Sequence, residues 1–88
     1  MQTKRLEKIL QPLASRRRLD ILKILKQEGV LPVGDIADKI KLSFKATSKH
    51  LLELYLADLV DFQKHATENH YYIAPQKARL IKYILAML

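Results

Sequence analysis

What most constrains this chain is a change of hydrophobic period near residue 60. From Val33 to Leu59 apolar residues recur at three- and four-residue steps, as on a helix packed along one side. From Val60 to His65 they alternate, as along a strand. Within the helical part, Val33-Gly34-Asp35-Ile36-Ala37-Asp38-Lys39-Ile40 reads as a short helix with Ile36, Ala37 and Ile40 on one face. Lys41-Leu42-Ser43 reads as a turn, and Ser43 is placed to cap a longer helix. That helix carries Phe44, Thr47, Leu51, Leu54 and Asp58 in one sector, with Lys45, Ala46, Lys49, Leu52 and Glu53 roughly opposite. Short helix, tight turn and longer helix are the parts of a helix-turn-helix. In the alternating segment Val60, Phe62 and Lys64 face one way and Asp61, Gln63 and His65 the other. Its partner is His70-Tyr71-Tyr72-Ile73-Ala74, reached through a turn within Ala66-Thr67-Glu68-Asn69.

Helices are expected on both flanks. Leu6, Ile9 and Leu10 make an apolar stripe from Thr3 to Gln11, and a break or sharp bend is expected at Pro12. A second helix starts at the cap Ser15 and runs to Gly29, followed by a Val30-Leu31-Pro32 connector. Pro75 is placed to open a last helix over Gln76 to Leu88. The expected fold is mainly α with a small β-hairpin wing, in the order α-α-α-α-β-β-α. With 88 residues, one core is affordable and a second is not, so residues 1–88 are expected to form a single unit.

Composition narrows the partners. Sixteen Lys and Arg against nine Asp and Glu give a formal charge of +7, which favours nucleic acid or an anionic membrane surface. The absence of cysteine excludes disulfides, thiolate metal sites and cysteine nucleophiles. No apolar run approaches the roughly 18 residues of a membrane span, and the start of the chain lacks the pattern of a secretory signal, so a cytoplasmic protein is expected. No glycine-rich phosphate loop or diagnostic Ser/His/Asp spacing is present, and an enzyme is not expected.

The local sequences resemble the ArsR-type family of winged helix-turn-helix transcription regulators from Leu13 to about Ile73. Leu13-Ala14-Ser15-Arg16-Arg17-Arg18-Leu19-Asp20-Ile21-Leu22 is similar to the family's opening helix motif, with Arg16 in place of a proline. Ala37, Leu42-Ser43 and Ser48-Lys49-His50-Leu51 resemble its helix-turn-helix, and Asp58-Leu59-Val60 with Tyr71-Tyr72 resemble the entry to and exit from its wing. Asp58 stands where the family has glycine. The resemblance implies a regulator of transcription bound to double-stranded DNA as a homodimer, more often a repressor. A winged-helix module that binds protein is the alternative.

A recognition helix buries one side and offers donors and short side chains from the other. Ser43, Lys45, Ala46, Ser48 and Lys49 are therefore DNA candidates. Lys49 could reach a guanine edge or a phosphate, and Lys45 phosphate or base. Lys41 in the turn joins them. His50 is more often structural, or a backbone or phosphate contact, than a metal ligand. Arg16 and Arg17 lie with Arg18 at a helix start, where cations are mildly disfavoured, and a DNA backbone is the simplest reason for their charge. Lys64 and His65 on the wing could approach flanking phosphates, positioning rather than specifying. His65 and His70 could instead face each other and hold zinc, although no third ligand is evident.

Relatives that sense metals do so through cysteines before the turn or Asp and His on the last helix. Here the cysteine positions hold Pro32 and Gly34, and Pro75 to Leu88 contains no His, Asp, Glu or Cys. Neither a metal nor any other cofactor is expected. The last segment and the first helix present apolar faces, and the resemblance implies a dimer interface of Leu6, Ile9, Leu10, Leu80, Ile81, Ile84, Leu85 and Leu88. Completion of the core, or a membrane contact through Lys77, Arg79 and Lys82, are the other readings of that face; no membrane partner is expected.

Overall fold

The computed structural model describes residues 2–88. Five helices and a small sheet follow the expected order: α1 (Thr3–Leu13), α2 (Arg16–Glu28), β1 (Leu31–Pro32), α3 (Val33–Ile40), α4 (Phe44–Leu56), β2 (Val60–His65), β3 (Glu68–Ile73) and α5 (Ala78–Ala86). It is a winged helix-turn-helix: α3 and α4 are the two helices of the motif, and β2 and β3 form the hairpin wing.

The core is where these elements converge. Ile21, Leu22 and Leu25 of α2, Ile36 and Ile40 of α3, Leu51 and Leu54 of α4, Val60 of β2, Tyr71 of β3 and Ile81 of α5 form one buried cluster together with Leu59. Phe62 extends it outward, with its ring centroid 5.3 Å from Tyr55 and 5.2 Å from Tyr71. Burial pushes the Tyr71 hydroxyl pKa up from its ordinary value. The hairpin closes on a tight two-residue turn, His65 standing opposite Glu68, with Ala66 at φ +57°.

Both helix ends that frame the recognition segment close in the same way. After α3, the Leu42 N–H donates to the Ala37 carbonyl at 3.0 Å and the Lys41 N–H to Asp38 at 3.3 Å. After α4, Leu59 donates to Leu54 at 3.0 Å and Asp58 to Tyr55 at 2.9 Å. These are paired six-to-one and five-to-two bonds around a left-handed residue, the Schellman arrangement. That residue is Lys41 at φ +56° in the first and Asp58 at φ +60° in the second. Asp58 thus adopts the backbone that glycine supplies in the family's motif.

Four expectations are corrected. α1 does not break before Pro12 but runs to Leu13: Pro12 falls in the last turn, where its missing N–H removes one bond and the helix is about to end. The Val30-Leu31-Pro32 connector contains a strand, since Leu31 pairs with Tyr71 and Pro32 with His70, giving the sheet order β1-β3-β2. Proline is tolerated there because β1 is an edge. Pro75 opens a 3-10 turn (Pro75–Lys77) rather than the α-helix itself, and α5 ends at Ala86 instead of Leu88. Phe44 is 62% exposed and leaves the core sector. Helical side chains tilt toward the N-terminus, so a residue at the first position points past the end of the helix, while Thr47, Leu51 and Leu54 stay buried.

Candidate nucleic-acid interface

The start of α4 is fixed from both sides of its cap. Ser43 Oγ accepts a hydrogen bond from the Ala46 N–H at 3.1 Å, and the Thr47 hydroxyl donates to the Ser43 carbonyl at 2.8 Å. Thr47 is 0% exposed, so this bond satisfies a hydroxyl that burial would otherwise penalise. With that row turned inward, Lys45 and Lys49 are exposed and Ala46, Ser48 and His50 half-buried. Ser43 and Lys41 are exposed just before them. Three lysines and several short side chains thus stand around the turn and the first two turns of α4.

The three arginines at the start of α2 have different surroundings. Arg16 is exposed. Arg17 Nη1 donates to the Ile40 carbonyl at 2.6 Å, bridging the start of α2 to the end of α3. A charge that the α2 dipole disfavours is therefore held by a carbonyl at the negative end of α3. Arg18 is half-buried, and its Nε lies buried without a partner, as does His50 Nδ1. Burial, then the positive charges of Arg18, Arg17 and Lys49, hold the His50 imidazole below its ordinary pKa, with Glu53 opposing. Arg16, Arg17 and Lys41 also line a polar recess with Lys23 and Lys39. Lys23 and Lys39 were not singled out by the sequence, because each reads there as an ordinary solvated helix position.

On the wing, Lys64 and His65 are exposed. The His65 and His70 rings lie close together, with centroids 4.7 Å apart but tilted by 59°, and Glu68 Oε2 lies 3.7 Å from His70 Nε2. Even so, among the described residues no group of three or more His, Cys, Asp or Glu side chains is arranged to hold a metal.

The residues expected at a dimer interface divide in two. Leu6 and Leu10 of α1 and Leu80 and Leu88 at the other end of the chain are exposed. Ile9, Ile84 and Leu85 are half-buried against the core, and Ile81 is a core residue at 1% exposure. Met87, at 78%, is more exposed than any of them, and Tyr83, at 67%, more than any except Leu88; both were absent from the expected set. They stand out only once α5 is seen to spend its Ile81 row on the core. No helix among the described residues is long and apolar enough to cross a membrane.

A helix-turn-helix whose second helix presents cations and a capped N-terminus beside a hairpin wing defines a winged helix-turn-helix DNA-binding domain. The family model for bacterial regulatory proteins of the arsR family matches residues 15–61. The chain is 38% identical over 64 residues to an uncharacterised HTH-type transcriptional regulator of Methanocaldococcus jannaschii, covering 73% of this chain and 72% of that protein. Among solved structures, it is similar to the homodimeric winged helix-turn-helix DNA-binding domain of a possible ArsR-family transcriptional regulator from Mycobacterium bovis. That match has a TM-score of 0.87 at 29% identity, over 96% of this chain and 78% of the other. HlyU from Vibrio cholerae matches with a TM-score of 0.86 at 28% identity, over 99% and 97%. The chain belongs to the ArsR family of transcription regulators, and it is not an enzyme.

Proposed function

We propose that the chain is a dimeric, sequence-specific repressor that occupies promoter DNA and does not use the metal switches of its relatives. The observation that carries this reading is the exposed side of α4, with Lys45 and Lys49 opposite the buried row of Thr47, Leu51 and Leu54 and the half-buried Ser48 at its margin. Ser43, Lys45, Ala46, Ser48 and Lys49 meet base edges and nearby phosphates. Lys41, Arg16, His50 and the free donors of Arg17 meet the phosphate backbone, and Lys64 and His65 position the wing. An interface made of the first and last helices sets two recognition helices about 34 Å apart on one face of the duplex. Such a dimer represses by occupancy alone. The lack of a ligating side chain at Pro32, at Gly34 and throughout Pro75 to Leu88 supports control by a signal other than a metal bound at those places.

Selection of bound sequences from randomised duplex DNA tests the reading. The expected product is a palindrome whose half-sites are centred about 10 base pairs apart. In the same assay Lys49→Ala relaxes preference at one position of each half-site, worth about 1–3 kcal/mol, whereas Lys64→Ala weakens all sequences equally. Enrichment of no sequence, or of one without two-fold symmetry, overturns the proposal.

A further inference from the structure

Phe44 opens α4 with its ring 62% exposed, and it belongs neither to the buried cluster nor to the apolar residues packed against it. Scattered exposed apolar residues are ordinary on a protein surface. This one is placed where a recognition helix meets base edges. Lys45 is its neighbour in the chain, and Ser48 lies one turn further along the same row of α4. Across a recess of about 260 Å³ stand Thr67, Glu68 and Asn69 of the wing tip, with Val33, Gly34 and Tyr71 as its other walls.

We propose that Phe44 reads the 5-methyl group of a thymine, so that each half-site of the operator carries one required thymine. The inference rests on the DNA-binding reading above and adds which base that reading selects. A phenyl ring has neither donor nor acceptor. Set against the major-groove edge of guanine, adenine or cytosine, it strips water from polar atoms and returns nothing. Thymine alone adds a methyl group there, whose transfer from water to the ring is favourable. The N-terminal residues of a recognition helix are those that contact base edges, and Phe44 is the first of them here. Lys45 beside it supplies the positive charge that holds this end of the helix against the phosphates.

The test uses the full chain and a duplex that it selects from randomised DNA, with each thymine in turn replaced by deoxyuridine. That change keeps the base pair and removes only the methyl. At one position per half-site the loss is expected to be about fourfold, the transfer of one methyl group. Phe44→Ala shows no further loss there, and Phe44→Leu, which keeps an apolar branch, retains part of the sensitivity. The Phe44→Ala chain melts where the parent does; a lower melting temperature places the ring in the fold and overturns the proposal. Uridine effects of equal size in parent and Phe44→Ala also overturn it. A selected palindrome without a methyl-sensitive position removes this inference alone, whereas no selected sequence at all removes the DNA reading with it.

Discussion

Lys41 serves two ends that oppose each other. Its backbone lies at φ 56°, ψ 50°, in the left-handed region that costs an L residue roughly 1 kcal/mol, yet its exposed side chain lines the recess shared with Arg16 and Arg17, where a phosphate is proposed. Glycine removes the strain and the charge together. Lys41→Gly is therefore expected to raise stability by about 1 kcal/mol, or about 4–8 °C in the melting temperature of so small a domain. The same variant should flatten the dependence of log affinity on log salt by about 0.9 per protomer; an unchanged slope takes Lys41 out of the interface. His50 shows a similar tension between folding and charge. Its imidazole is held below the ordinary 6.5 by burial first and by Arg18, Arg17 and Lys49 next. Below pH 6.5 the unfolded chain takes up a proton that the folded chain resists. The stability present above that pH is thus lost as pH falls through the lowered folded value. Thermal melts from pH 7.5 to 5 should show a smaller acid loss in His50→Gln than in the parent, and parallel curves would sink this account.

Among the elements, the ends of α3 and α4 decide how the recognition helix is presented. Asp58 holds the turn into the wing at φ +60°. Asp58→Gly should add about 1 kcal/mol by urea unfolding while leaving DNA affinity within twofold; a destabilised variant would mean that the aspartate side chain contributes more than its backbone strain costs. This turn was partly legible in advance, since Asp58 stood out against a motif glycine even though its φ is set only in the folded chain. Elements with a long apolar period were legible as well, as in α2, α3 and the body of α4, because burial repeats often enough to be read. β1 was not: a strand of two residues cannot display an alternation, and one of the two is proline. The first turn of α4 was misread for the same reason at its edge. Helical periodicity groups Phe44 with Thr47 and Leu51, but whether a first-turn side chain faces the core depends on where the helix is cut off. Pro12 and Pro75 show the converse, since proline signals a boundary without fixing whether the helix ends one residue later or begins with a 3-10 turn.

For the whole molecule the deciding quantity is the apolar surface that the single chain leaves uncovered at its two ends. Leu6 and Leu10 on α1 and Leu80, Tyr83, Met87 and Leu88 toward the carboxyl end are exposed, while Ile81 between them faces inward. Sequence grouped Ile81 with the outward set because a short helix that is apolar nearly all round does not declare which row the core takes. Two kinds of substitution should therefore separate folding from assembly. Ile81→Ala removes a core side chain and should cost about 2–5 kcal/mol in thermal or urea unfolding. Tyr83→Glu combined with Met87→Glu touches only side chains that are 67% and 78% exposed, and should leave the melting of the single chain nearly unchanged. Carboxylates placed in an apolar interface lose their water without gaining a partner, so the double variant should sediment as a monomer at micromolar concentration. Each recognition helix would then bind its half-site without the effective concentration supplied by its twin. Affinity for the palindrome should fall about a hundredfold or more, with affinity for an isolated half-site little changed. If the double variant still sediments as a dimer, the outward face of α5 is not the interface; if it becomes a monomer yet binds the palindrome as before, two-fold recognition is not how this regulator holds its site.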